Sequence, residues 1–324
     1  MYLVTGSSGH LGEALMRLGQ ARRLPMRGAD IASGAFTTDI GDLSDAVFAA
    51  KVVDGCKGVL HTATLHKPHI ATHSRQAFVN TNITATLNLL EAAKPTRIPF
   101  VFTSTTSAFG AALTPPPGEP AAWITESVRA VPKNIYGVTK TSAEDLCELF
   151  ARKFDMPVVI LRTSRFFPEP DDDPAKRAAM PTSAAQLCEL AFRRLDVADA
   201  AAAHLLAVAK ASELGFGKFI LSAPTPFLPE DCAGLRSDAP KVLESRLPGT
   251  SAALAAMGWS FYPSIDRVYD SSAAQTTLGW TATHDFATVL NRVQNGDAVL
   301  SDLAQMVGTK GYHGDQYVDG IYPT

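Results

Sequence analysis

Three apolar residues, Tyr2-Leu3-Val4, run into Thr5-Gly6-Ser7-Ser8-Gly9-His10-Leu11-Gly12, and from Glu13 to Leu18 the apolar positions take up a helical period. A strand that passes through glycines straight into a helix leaves few options. Gly6 and Gly9 would let the backbone turn tightly and approach a pyrophosphate, Gly12 would let helix and strand pack closely, and the helix N-terminus would face the phosphates. The spacing is Gly-x-x-Gly-x-x-Gly, whereas the commoner fingerprint is Gly-x-Gly-x-x-Gly. A glycine triplet alone also describes a flexible loop. Its place directly after a strand is the context a dinucleotide site needs, so Gly6, Ser8, Gly9, His10, Leu11 and Gly12 are expected at a cofactor.

The next strand, expected over 25–29, ends at Asp30, close to the ~20-residue offset at which an acid accepts hydrogen bonds from an adenosine ribose. A carboxylate there repels a 2′-phosphate. NAD is therefore expected over NADP, with Arg27 able to soften that preference if it turned inward; a solvated loop acid is the plainer alternative. After a strand over 36–40, Asp42 could meet the adenine amino group beside Leu43, or cap the helix starting near Ser44. A fourth strand over 58–63 places His61 and Ala63 toward the cofactor. His61 could be a base, but a packed, hydrogen-bonded histidine is expected at a buried strand end. His66, Lys67, His69 and His73 make a basic loop whose spacing does not suit a helical pair of metal ligands and which has no acid or thiol beside it. No metal is expected, and the loop is read as facing substrate. Asn82 is a polar residue within the helical pattern of 76–93.

A fifth strand over 100–104 leads into Thr105-Thr106-Ser107, hydroxyls at the end of a parallel strand where ligands bind, although Thr and Ser also cap turns. In Asn134-Ile135-Tyr136-Gly137-Val138-Thr139-Lys140, a phenol and an ammonium stand one helical turn apart. A cation beside a phenol favours phenolate and lowers a pKa that starts near ~10. That pairing makes a general acid/base, and alone it is also an ordinary surface pair. Further on come strands over 157–162 and 218–222, with an alanine-rich helix from Leu195 to Lys210 between them, and a helix around 286–293.

At 324 residues the chain exceeds what one hydrophobic core usually spans, so a large domain with a smaller lobe is expected. A net charge of −3 disfavours nucleic acid, and no uncharged apolar run is long enough for a membrane span. Four scattered cysteines and a start without a basic n-region suggest neither zinc, disulfides nor export; reducing cytosol fits.

Taken in order, Gly6/Gly9/Gly12, Asp30, Asp42, Asn82, Thr105 and Tyr136/Lys140 resemble the extended short-chain dehydrogenase/reductases, in particular the NAD-dependent epimerase/dehydratase branch. Arg162, Asp196-Val197-Ala198-Asp199 and Leu278-Gly279-Trp280 extend the likeness over nearly the whole chain. The resemblance implies an α/β fold, a Rossmann-type doubly wound parallel sheet with a smaller C-terminal substrate-binding lobe. Residues 1–163 would carry the cofactor and catalytic residues. Residues 164–324 would complete the sheet at about 195–223 and build the lobe, ending in an irregular tail. It implies that Tyr136 exchanges a proton with a substrate hydroxyl, Lys140 binds the nicotinamide ribose and lowers the Tyr136 pKa, Thr105 holds the substrate oxygen, and Asn82 supports the site. Hydride would pass at a secondary alcohol of a sugar or sugar-like small molecule. A homodimer through the helices at 76–94 and 136–153 is also implied.

Three departures narrow the substrate. Thr106-Ser107 stands where dehydratases of the branch carry Asp-Glu, so dehydration is not expected. Arg165 replaces an Asn of the nucleotide-sugar enzymes, and only about thirty residues separate the sixth strand from Asp196, which leaves little for a nucleotide diphosphate. Arg165, Arg193 and Arg194 could pair with a carboxylate or phosphate, or lie solvated at the surface. His66, Lys67, Thr106 and Arg165 are thus the expected substrate contacts. Epimerisation, net oxidation of a non-nucleotide alcohol or sugar acid, and a non-catalytic NAD-binding module stand as alternatives, the last opposed by the intact proton-transfer set.

Overall fold

The computed structural model describes residues 1–171 and 174–311; the irregular tail expected beyond them lies outside the described residues. Nine strands are present among the described residues: β1 (Tyr2–Thr5), β2 (Met26–Asp30), β3 (Asp39–Ile40), β4 (Val59–His61), β5 (Phe100–Thr105), β6 (Ala122–Ile124), β7 (Val158–Thr163), β8 (Phe216–Leu221) and β9 (Arg267–Tyr269). Seven form one parallel sheet in the order β3-β2-β1-β4-β5-β7-β8. The third is shorter than the expected 36–40.

Alternation along the strands decides which helices cover which face. Leu3, Val59, Phe100, Phe102, Val158 and Ile160 point to one side, where Val52, Leu89, Leu90, Cys147 and Phe150 from the helices Ala46–Val53, Ala85–Ala93 and Ile135–Phe154 bury them. Val4, Leu60, Val101, Val159 and Leu161 point to the other, against the helices His10–Ala21 and Val197–Leu214. Leu278, Trp280 and Val307 join that second core, so the C-terminal region returns to the main sheet. Between Arg75 and Ala93 the expected helix contains a π-helical stretch, Val79–Thr84, with Asn82 inside it.

The smaller lobe has its own apolar core, in which Leu187, Phe227, Leu235, Val268 and Phe286 are buried with Ala121. Its two-stranded sheet pairs β6 with β9 in parallel, joining segments far apart in sequence. No described helix is long and apolar enough to cross a membrane.

Candidate active site

From β1 the chain works outward to β3 and then returns to β4, so the strand order reverses between β1 and β4. A crevice at the carboxyl ends of the strands follows from that reversal. A cleft of about 1240 Å³ occupies it. Gly6 has φ +69°, and a Cβ there would lie 2.8 Å from the Ala63 backbone; a Cβ on Gly12 would lie 1.9 Å from the Gly6 carbonyl oxygen. Side chains are excluded at both positions. Gly9 caps the twelve-residue helix with no side-chain hydrogen bond, which leaves first-turn N–H groups facing outward for an anion. The backbone here fits the diphosphate of a dinucleotide.

Gly6, Ser8, Gly9, His10, Leu11, Gly12, Asp30, Asp42, Leu43 and Ala63 all line the cleft. Asp30 accepts from the Ser8 N–H at 2.8 Å and the Ala32 N–H at 3.0 Å, one on each oxygen, and retains acceptor capacity on both. Arg27 does not turn inward. It donates to both Asp39 oxygens at 2.9 Å and to main-chain carbonyls, so it does not offset the carboxylate of Asp30. Asp42 accepts from the Ser44 N–H at 2.8 Å, while the cap of the following helix is Asp45.

His61 and Lys140, expected against the cofactor, and Asn82, expected in support of the site, are not among the residues that line the cleft. The Thr86 hydroxyl donates to the Asn82 carbonyl at 2.7 Å, so it accepts from His61 Nε2–H at 3.0 Å, and His61 Nδ1 accepts from Thr5 at 2.7 Å. Burial pushes the imidazole down to about 3, with the charge of Lys140 adding to it. A neutral ring that spends both nitrogens on threonines is a support, not a base. Thr5 Oγ1 in turn accepts from the N–H groups of Thr62 and Ala63 at 3.2 Å, which fixes the loop facing the cofactor. Asn82 accepts from the Leu65 N–H at 2.9 Å and donates to Thr139 Oγ1 at 2.9 Å, tying that loop to the tyrosine-bearing helix.

Thr105 ends β5, and Tyr136 occupies the first turn of the helix Ile135–Phe154, which Asn134 caps by accepting from the Gly137 N–H at 3.0 Å. Thr105 Oγ1 accepts from the Ser107 N–H at 3.1 Å, and Thr105 and Tyr136 both line the cleft. Burial pushes the Tyr136 phenol up to about 12, with Thr105 pulling the other way. The Lys140 nitrogen lies 4.0 Å from the centroid of the Phe102 ring. Burial lowers Lys140 to about 7, while the Glu144 carboxylate pulls the other way. One turn further, Glu144 accepts from Ser104 at 2.5 Å and from Arg162 at 2.9 and 2.6 Å, locking the helix to β5 and β7.

His66, Lys67, Thr106 and Arg165 line the cleft, with His66 stacked on Phe167 and Arg165 donating to the Glu169 carbonyl; Lys133, Arg177 and Arg193 line it too, and β9 of the smaller lobe brings Arg267 to the far end. Arg165 lies 3.3 Å from Asp171, Arg193 2.6 Å from Glu189 and Arg267 2.9 Å from Asp266. Arg194 is buried rather than solvated and is spent on Glu189 and the Phe167 carbonyl. Ser164, which the sequence reading missed, also lines the cleft, and its buried hydroxyl has no partner among the described residues. Arg177 and Arg267 carry no local signal: each is a single arginine on a separate element.

The model of the NAD dependent epimerase/dehydratase family matches residues 2–218. A protein of Bacillus subtilis described as an uncharacterized UDP-glucose epimerase is 32% identical over 133 residues, 41% of this chain and 37% of its own length. A uronate dehydrogenase of Agrobacterium fabrum is 30% identical over 178 residues, 52% of this chain and 63% of its own. The chain thus matches less than two thirds of either relative. A short-chain dehydrogenase/reductase superfamily protein of Agrobacterium tumefaciens, solved with bound NAD, shares the fold with a TM-score of 0.64 at 22% identity, covering 91% of this chain and 96% of that one.

Proposed function

The chain belongs to the NAD dependent epimerase/dehydratase family of enzymes, and from that premise we propose that it transfers hydride at a secondary alcohol of an anionic sugar or sugar-like substrate, with Tyr136 as the acid/base. The observation that carries this reading is that Thr105, at the end of β5, and Tyr136, in the first turn of its helix, line the same cleft as the glycine turn and Asp30. NAD, when bound, supplies the hydride acceptor. Thr105 holds the carbinol oxygen, and Tyr136 takes its proton as the carbon is oxidised. The phenol must ionise for that step, and a cation one helical turn away, Lys140, favours the phenolate against the burial that raises its pKa. Lys67, Lys133, Arg165, Arg177, Arg193 and Arg267 line the cleft together with Asp171, and side chains of this kind can pair with a carboxylate or phosphate on the substrate. The likeness to a uronate dehydrogenase favours a sugar acid and net oxidation. The likeness to a UDP-glucose epimerase favours a second reading, in which the ketone is held and reduced again.

The nucleotide released on denaturation, followed by titration of the stripped enzyme with NAD against free sugars, sugar acids and nucleotide sugars, separates these readings. NADH growing in proportion to a sugar acid supports oxidation. Stoichiometric bound NAD with no net absorbance change supports epimerisation. Tyr136→Phe should lower turnover by about 10²–10⁴-fold; unchanged turnover would remove Tyr136 from the chemistry. The homodimer is part of the same proposal: Val138 and Leu149 are exposed on the helix Ile135–Phe154, and light scattering reads the mass directly.

A further inference from the structure

Where the glycine turn enters its helix, three segments distant in sequence are tied together. His10 Nε2 lies 2.8 Å from Glu169 Oε1, and the Lys310 N–H donates to the same oxygen at 2.9 Å. The Lys310 ammonium in turn pairs with Glu13, three residues beyond His10 on the same helix. The result is a closed ring: His10 to Glu169, Glu169 to Lys310, Lys310 to Glu13, and back along one helical turn. His10 and Glu169 are 3% and 5% exposed, so the contact is shielded from competition by water. His10 lines the cofactor end of the cleft, and Phe167, two residues before Glu169, lines it as well. His10 and Phe167 also meet directly, ring centroids 5.0 Å apart and edge to face.

We propose that Glu169 is a positioning residue for the cofactor: by clasping His10 and Lys310 it holds the loop after β7 and the segment after the helix Asp302–Val307 against the diphosphate-facing turn, and NAD leaves when this clasp opens. The inference rests on the NAD reading of that turn. The clasp is suited to opening. Glu169 Oε2 is buried without a hydrogen-bond partner among the described residues, so the closed state carries an unmet acceptor that opening returns to water. The strength of the clasp then sets how long NAD stays. Cofactor residence is the property in which an epimerase and a dehydrogenase differ, so the ring bears on the net reaction without touching the reacting atoms.

Stopped-flow displacement of NAD from the full-length protein, with hydrogen exchange over residues 302–311, tests this. Glu169→Ala should release NAD about tenfold faster and strip protection from the Lys310 amide. Glu169→Gln, which keeps an acceptor for both donors, should recover part of the wild-type rate. Lys310→Ala, on a partly exposed side chain, should give a smaller acceleration and serves if Glu169→Ala fails to fold. Wild-type release from folded Glu169→Ala or Lys310→Ala, with protection at 302–311 unchanged, overturns the clasp. A wild-type protein that binds no NAD overturns the cofactor reading instead, and hydrogen exchange at Lys310 in Glu169→Ala then decides the clasp alone.

Discussion

The two ends of the cleft are walled with different material. At the cofactor end the wall is largely main chain: Gly6 against Ala63, Gly12 against the Gly6 carbonyl, and the uncapped first turn behind Gly9. Toward the lobe it is long cationic side chains, drawn from the helix Pro174–Ala179, the turn at Arg193, and β9. A backbone wall holds its spacing to tenths of an ångström and has nothing to exchange. Arginines held by Asp171, Glu189 and Asp266 can change partner when a ligand anion arrives. On the proposed function, the diphosphate would be held by the fold itself, while substrate choice would sit in side chains that can change one at a time.

The contrast is broken most severely at Gly12. Gly12→Ala places a Cβ 1.9 Å from the Gly6 carbonyl oxygen and should cost about 3 kcal/mol or more, with NAD binding lost. Denaturant unfolding and NAD titration that both match the wild type would show that this wall is softer than its geometry. Next comes acid. His61 behind the cofactor loop and His204 beneath Thr103 are held neutral by burial, at about 3 and about 4. Each takes up its proton more readily when unfolded. Their stabilisation is thus complete above about 6.5 and is lost as pH falls toward those values, roughly 2 kcal/mol for each at pH 5. Thermal unfolding across pH 5 to 7 reads the slope, and a flat profile would contradict the neutral assignments.

At the far end, Arg267→Met keeps the aliphatic stem and removes the charge. KM for an anionic substrate should rise about tenfold with kcat nearly unchanged, while the NAD affinity stays as it was. An equal loss for neutral sugars would mean that Arg267 supports the lobe rather than reading charge. The smallest effect is expected at Asp30, a side chain on the backbone wall. Asp30→Ala should shift the NAD-to-NADP affinity ratio by about fivefold, and a shift far larger would place cofactor choice in a side chain after all.

The same contrast explains which parts could be read ahead of the structure. Gly6, Gly9 and Gly12 fall within seven consecutive residues because a turn is a local object, and period-2 and period-3.6 patterns locate strands and helices for the same reason. The cleft's far end is assembled from Arg177, Arg193 and Arg267, whose spacing along the chain has no period to detect. Lys140 shows a finer limit. Its position one turn from Tyr136 follows from helix geometry, but where its flexible side chain rests depends on Phe102, which comes from another element. His61 was open to two readings until Thr5 and Thr86 appeared on either side of its ring. Asp45, three residues past the expected cap, took the role proposed for Asp42 because each can cap a helix a residue or two away.

The pairing of β6 with β9 has a consequence for synthesis. Ala122 meets Arg267, a separation of 145 residues (267 − 122). At ordinary translation speeds the earlier strand would wait roughly 7 to 30 s for its partner. Residues 1–221, which carry the whole main sheet, leave the ribosome well before that. A nascent chain can therefore hold its dinucleotide site together while Ala121 and Ile124 are still uncovered. Arg267 arrives on β9 itself, so the lining of the cleft is completed by the strand that closes the lobe, and chaperones would find their target in the interval between the two.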